Sequence, residues 1–342
     1  MNTEHLNPDS ETLAHRLATD DNYRVLRAVP RPYFDMPKGA PPNARCLALI
    51  DLETTGLDPA SDRIMELAIM LVWVDENGEV VNHATPRVWQ EDPGVMIDPR
   101  ITWLTGLANH HLVGKSIPDE TVLAMLDRAD LLVAHHASFE VAWLERHYPQ
   151  LAGAAWGCSM KDIDWLRAGH DGRAQQWLLA QEGWHSAAHR AGDDVWSLFW
   201  LLQQRRGGWG ADPERTHFKR LLEGADRTTA LVRAVGSPIG KKDLLKARQY
   251  RWDAGATVWE KEIEPELVDH ERAWFYRSGL PEPTLSTMTA HERHRWGSRM
   301  QHLRPDDVPI CKGAAARHSG GWDEELGLSR SARKPFRAYQ AE

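Results

Sequence analysis

The sequence is poor in cysteine, in long apolar runs and in excess positive charge. Among 342 residues the cysteines are Cys46, Cys158 and Cys311. They form no C-x-x-C pair and their count is odd, which excludes zinc-finger spacing and a disulfide framework and fits a reducing compartment. No stretch approaches the roughly 18 apolar residues of a membrane span. The polar start, Met1-Asn2-Thr3-Glu4-His5, has no signal-peptide core. The expected location is the cytoplasm, with no membrane partner. The net charge is −8, so nucleic acid could be held only by a local basic patch, not by a global field. Tryptophan, by contrast, is abundant at sixteen. Most of these rings are expected to anchor a core or an interface, and some could stack on bases.

The length suggests two domains, or one with sizeable extensions, and an apolar content of 42% supports a real core. No internal repeat is visible. Residues 1–45 read as a polar N-terminal arm with a short helix from Glu11 to Leu17 and a Pro-rich end. Strands are expected at Cys46–Asp51, Ile64–Val74 and Glu79–Trp89, the last two joined by an Asn77-Gly78 hairpin turn. There follow an amphipathic helix over 118–128, a buried strand at Leu131–Ala134, a helix opening at 135–140 and a strand at Ala154–Cys158. Helices are expected at Lys161–Leu166, Ala174–Leu179 and Asp193–Gln204, with His189 in a loop. Strands first, then alternating helix and strand, predict an α/β fold with a mixed sheet flanked by helices. Residues 206–212 read as a linker and 213–280 as a small α+β module. Its elements are a helix at Pro213–Leu222, a strand at Ala230–Val235, a helix at Lys241–Arg248, a hairpin over 250–263 and a closing helix at Glu266–Arg277. Residues 281–342 read as an irregular or disordered tail.

The stretch Cys46-Leu47-Ala48-Leu49-Ile50-Asp51-Leu52-Glu53-Thr54-Thr55-Gly56-Leu57 organises the rest. An apolar run ends in two carboxylates at i and i+2, which leave the same face if the strand persists. Side by side they repel unless a cation sits between them, and oxygen-only ligands favour Mg²⁺ or Mn²⁺. By itself the stretch fits a solvated acidic turn as well. Glu140 and Asp194 also stand at or just after the ends of expected elements, where open sheets collect their ligands. Three or four converging carboxylates can hold two divalent ions roughly 3.5–4 Å apart and clamp an in-line phosphoryl displacement. His189 is the candidate to take a proton from the attacking water.

The pieces Asp-Leu-Glu-Thr-Thr-Gly-Leu (51–57), Ala-His-His-Ala-Ser-Phe-Glu (134–140) and His-Arg-Ala-Gly-Asp-Asp (189–194) resemble, in order and spacing, the three motifs of the DEDDh 3′–5′ exonucleases, a family that includes the proofreading epsilon subunit of bacterial DNA polymerase III. The resemblance spans about residues 46–205 and implies an RNase H-like fold. It also implies that Asp51 bridges two metal ions, that Glu53 and Asp194 complete the first site, and that Glu140 serves the second. His189 would be the general base. Thr54, Thr55, Gly56 and Leu57 would meet the 3′-terminal nucleotide, with His136 among the substrate-binding residues. The implied reaction releases nucleoside 5′-monophosphates from DNA 3′ ends in proofreading, repair or end degradation. One departure matters: the family has Asp where this chain has Glu140, and His-Asn-Ala where it has His135-His136-Ala137. Glutamate adds roughly 1–1.5 Å of reach, and catalytic geometry must hold to about 0.5 Å. An RNA-trimming exoribonuclease and a non-catalytic nucleic-acid-binding protein weakened at Glu140 are the alternatives. The expected partner is single-stranded DNA. A DNA polymerase is a partner by resemblance only, because no clamp-binding peptide is recognisable.

In the 213–280 module, Lys242, Lys246 and Gln249 fall on one helix face beside Tyr250, Trp252 and Trp259. Cations next to aromatics suit single-stranded nucleic acid, although such tryptophans also make ordinary cores. The His/Arg cluster from His291 to Arg304 reads as a solvated flexible segment.

Overall fold

A computed structural model describes residues 8–32, 43–208 and 211–295. Its centre is a six-stranded mixed sheet built from β1 (Arg45–Thr54), β2 (Ile64–Val74), β3 (Val80–His83), β4 (Arg87–Gln90), β5 (Leu131–Ala134) and β6 (Trp156–Cys158). The order is β3-β2-β1-β5-β6, with β4 also pairing β2. β2 pairs antiparallel with β1, β3 and β4, whereas β5 pairs parallel with β1 and β6 parallel with β5. This is the antiparallel-then-parallel arrangement of an RNase H-like sheet. β2 has the predicted bounds. The predicted third strand is broken into β3 and β4, because Ala84, Thr85 and Pro86 leave the ladder between them.

The period of two along β1 sorts its side chains. Leu47 and Leu49 face one core with Val72, Val195, Phe199 and Phe218, while Cys46, Ala48, Ile50 and Leu52 face the other with Val141 and Leu144. Helices therefore cover both sides, and β1 is apolar on both faces. Asp51 and Glu53 continue the Leu47/Leu49 parity. They face α6 (Ala191–Gln203); α4 (Ala137–His147) packs on the opposite side. This body also carries α1 (Pro8–Ala18), α2 (Pro99–Thr105), α3 (Asp119–Leu126) and α5 (Gln175–Gln181), with single-turn helices at Asn109–Leu112 and Ser159–Asp162. The predicted helix at Lys161–Leu166 instead closes at Asp162, whose side chain accepts the Cys158 N–H at 2.7 Å.

The N-terminal arm lies on this body. Residues Arg27 and Ala28 pair in parallel with Trp184 and His185, and Trp196 Nε1 donates to the Pro30 carbonyl at 2.7 Å. The Pro-rich part of the arm over 33–42 lies outside the described residues.

Three expected boundaries are corrected. Residues 206–212 are not a free linker where they are described: Arg206 donates to Gln181 O, and Gly208 is packed so tightly against Gly169 that a Cβ would lie 2.2 Å from its nitrogen. The helix expected at 213–222 is α7 (His217–Asp226), capped by Thr216. Its Phe218, Leu221, Leu222 and Ala225 are part of the core beneath the first sheet, so it belongs to that body. The tail does not begin at 281. Thr284–Met288 is β10, an edge strand of a second sheet in the order β8-β9-β7-β10, with β7 at Thr229–Arg233, β8 at Arg251–Asp253 and β9 at Val258–Ile263. α8 (Lys242–Ala247) and α9 (Val268–Arg277) cover it around Leu245, Tyr250 and Phe275.

Residues 289–295 then return to the first sheet, correcting the solvated reading of His291 to Arg295. The Trp156 N–H donates to Ala290 O at 2.9 Å. Buried His294 bonds Asp162 at 2.9 Å, and buried Arg293 bonds Glu262 at 2.8 Å. Period alone hid this docking, because its anchors are charged groups that pair only across the fold. His302 and Arg304 lie outside the described residues.

Candidate active site

Strand parity places Asp51 and Glu53 on the α6 side, and the first turn of α6 supplies Asp194. One carboxylate oxygen from each of the three lies within 4.8 Å of the others. Among the described residues, no hydrogen-bonding or ion-pairing group meets the carboxylates of Asp51 and Glu53. Burial raises all three, and repulsion from neighbouring acids adds to it. Asp51 is pushed well above the usual range by desolvation, then by Asp194, Glu140, Glu53 and Glu66; Glu53 is pushed up to about 8 by desolvation, then by Asp194 and Glu66. Asp194 is raised by desolvation, against the pull of two hydrogen bonds. Its Oδ2 accepts the His189 N–H at 2.8 Å and its Oδ1 accepts Gln176 Nε2 at 3.2 Å.

Glu140 lies in the first turn of α4, behind Asp51 and close enough to raise it, but outside the tight trio. It is 4% exposed, its Oε2 has no partner, and desolvation pushes its carboxyl up to about 8. The His189 side chain is exposed, and its backbone is left-handed at φ 66. That conformation, uncommon for a non-glycine residue, turns the peptide N–H back onto Asp194.

The 54–63 loop leaves β1 through a register shift after Glu53. Thr54 Oγ1 donates to Gly56 O at 2.5 Å, and Thr55 and Arg63 exchange two hydrogen bonds. At Gly56 a Cβ would come 2.3 Å from the Asp62 carboxylate, which accounts for glycine there. Leu57 projects into solvent at 78% exposure. His136, at the start of α4, is half-buried, and desolvation followed by repulsion from Lys161 and His294 lowers its pKa. His135 is a packing residue rather than a ligand. Its Nε2 meets the Arg173 carbonyl and therefore donates, so Nδ1 accepts from Ser159 Oγ.

Glu66 is the supporting residue that the sequence reading missed. It lies opposite Glu53 in the β1/β2 ladder and is fully buried. Its carboxylate accepts Arg190 Nη2 at 2.7 Å, the Ala191 N–H at 3.0 Å and Gln90 Nε2 at 2.8 Å. It thus anchors the start of α6, and with it His189 and Asp194. The available signal was a lone charge inside the apolar strand 64–74.

A second cluster, His170, Glu182 and His217, also converges within 4.8 Å. Arg220, a permanent donor, bonds His217 Nδ1 at 3.0 Å, so the Nε2 of that ring carries the proton and donates to Glu182. This cluster is a hydrogen-bonded network, not a cation site. The Asp51/Glu53/Asp194 set does fit a divalent cation: its oxygens converge, no described group ion-pairs with Asp51 or Glu53, and Arg190, whose charge lowers the Glu53 pKa from nearby, is bonded to Glu66.

Such a carboxylate constellation at the end of a mixed sheet is a set of oxygen ligands suited to a hard divalent cation. Residues 48–197 match the exonuclease family model RNase_T. The likeness to this exonuclease family is carried by these residues, which make up less than half of the chain. It is similar to the PolC-type DNA polymerase III of Listeria welshimeri, 32% identical over 126 residues, which is 36% of this chain and 8% of that protein. The DNA polymerase III subunit epsilon of Aquifex aeolicus is 29% identical over 107 residues, 31% of this chain and 50% of that one. The match thus spans at most half the length of these two relatives. Among solved structures, Exonuclease X in complex with 5′ overhanging duplex DNA aligns over 51% of this chain and 99% of its own, at 23% identity and TM-score 0.36. Exonuclease I aligns over 86% and 75%, at 12% identity and TM-score 0.40. No helix among the described residues is long and apolar enough to cross a membrane.

Proposed function

We propose that this protein is a metal-dependent 3′–5′ exonuclease that hydrolyses the terminal phosphodiester of single-stranded DNA and releases nucleoside 5′-monophosphates, in proofreading, repair or end degradation. The observation that carries the reading is the convergence of Asp51, Glu53 and Asp194 within 4.8 Å of one another. Asp51, Glu53 and Asp194 would hold a divalent ion, Mg²⁺ or Mn²⁺, and Glu140 with Asp51 would serve a second. When bound, these ions neutralise the reacting phosphate and acidify the attacking water. His189, exposed on a loop tied to Asp194 through its N–H, accepts the proton of that water. Thr54, Thr55 and Gly56 shape the wall at the terminal nucleotide, Leu57 packs against its base, and His136 meets the substrate from the α4 side.

Glu140 favours one refinement. Buried, unpartnered at Oε2 and outside the trio, it supports a weaker second ion site, hence a preference for Mn²⁺ over Mg²⁺. The test is mononucleotide release from 3′-labelled single-stranded DNA and RNA with Mg²⁺, with Mn²⁺ and with chelator. Release from DNA that requires a divalent ion is expected. Faster release from RNA would reassign the protein to RNA trimming. Silence with both ions from well-folded protein would leave a non-catalytic binder, and Glu140→Asp is the variant to try as a repair.

A further inference from the structure

The second sheet carries a surface for which hydrolysis at the acidic trio has no use. Between 239 and 261 six cations stand against three acids, in a chain whose net charge is −8. On α8, Lys242 and Lys246 are exposed and one turn apart. Trp252 and Trp259 are direct partners across the antiparallel β8/β9 pair, so both rings leave the same face of the sheet. Their centroids are 5.5 Å apart at 60°, and Lys246 Nζ lies 6.0 Å from the Trp259 ring centre. Trp259 packs on the Leu245/Phe275 core and fixes the pair, whereas Trp252 is 47% exposed. Just beyond it, Asp253 Oδ1 accepts the N–H groups of Gly255 and Ala256, which stiffens the hairpin tip.

A half-exposed indole on a hairpin, whose partner ring Trp259 lies under Lys246, offers a stacking face near a phosphate-binding charge. Only unpaired bases can use both, because a duplex hides its base faces. We propose that Trp252, Trp259, Lys242 and Lys246 form a docking strip for single-stranded nucleic acid, which holds the body of the strand whose 3′ end is hydrolysed. The connection to hydrolysis rests on the exonuclease reading above; the binding itself does not.

The test uses the full-length protein in chelator with a fluorescent 20-nucleotide oligothymidylate, titrated at several salt concentrations. Trp252→Ala should weaken binding about 10-fold or more, the scale of one lost base stack. The exposed pair Lys242→Gln/Lys246→Gln, which should not disturb folding, should lower the slope of log affinity against log salt by about 1.4, about 0.7 per lost phosphate contact on a single strand. Hydrolysis of the p-nitrophenyl ester of thymidine 5′-monophosphate, too short to reach the strip, should be unchanged in both variants. Wild-type oligonucleotide affinity and salt slope in both variants would overturn the inference, as would equal loss on a blunt duplex of the same length. Failure of every form of the protein to cleave the small ester with divalent ions would instead strike the exonuclease reading and leave the binding result to decide this one.

Discussion

Alkaline pH without divalent cations should destabilise this protein, and cations should protect it. Glu53 and Glu140 are each pushed from 4.5 up to about 8. A carboxyl whose folded pKa is raised binds its proton more tightly in the folded state. Its stabilising contribution is full below the unfolded value and is lost as pH rises through the folded one. For a group moving from 4.5 to about 8, the loss between pH 7 and 9 is about 1.4 kcal/mol. The Glu140 shift comes chiefly from desolvation and that of Glu53 from desolvation plus Asp194 and Glu66, so the two add to about 3 kcal/mol. Asp51 and Asp194 act with the same sign. Other shifted groups leave this window clear. His135, lowered to about 4, and Glu182, lowered to about 2, contribute on the acid side. The buried thiols of Cys46 and Cys158, pushed up to about 11 and about 12, act from about pH 9 upward. At about 1.4 °C per kcal/mol for a chain of 342 residues, the melting temperature in chelator should fall by about 4 °C from pH 7 to 9. A bound divalent cation holds the carboxylates ionised and adds about 2.7 kcal/mol at a hundredfold excess over Kd, so with Mn²⁺ the curve should be nearly flat. Differential scanning calorimetry across pH, with and without Mn²⁺, measures both. A metal-free curve that stays flat or rises, or one that falls equally with Mn²⁺ present, would refute the convergence of buried acids.

Asp194→Asn should abolish mononucleotide release while raising the metal-free melting temperature at pH 9, because one buried like charge is gone; a lower melting temperature there would contradict the repulsion. His189→Ala should cut kcat by about 10²–10⁴-fold, the scale of general-base removal, with calorimetric Mn²⁺ affinity unchanged; lost affinity would make the ring a ligand instead. Glu66→Gln should cost about 3 kcal/mol in urea unfolding, since it breaks a buried, multiply bonded carboxylate and frees the start of α6; Arg190 is partly exposed, so a larger loss is not expected. Phe218→Ala should cost about 3–5 kcal/mol if α7 is part of the nuclease core, and a loss under about 1 kcal/mol would return it to the separate module.

Much of the molecule was legible in the chain. The period of two in 46–54 placed Asp51 and Glu53 on one face, and the apolar run 64–74 gave β2 its full length. The three motif pieces named the residues that the fold brings to one end of the sheet. Local pattern could not say that Glu66, a charge inside an apolar strand, would meet Arg190 and Ala191, 124 and 125 positions away. Nor could it assign α7 to the first core, since an amphipathic helix shows that it has a buried face but not what covers it. The segment 289–295 read as solvated for the same reason: Arg293 and His294 become interior groups only when Glu262 and Asp162 meet them. What the sequence determined by itself was periodicity, motif order and the identity of the acids. Pairing partners of buried charges and the choice of surface for each apolar face were decided by tertiary structure, because both depend on contacts between residues far apart in the chain.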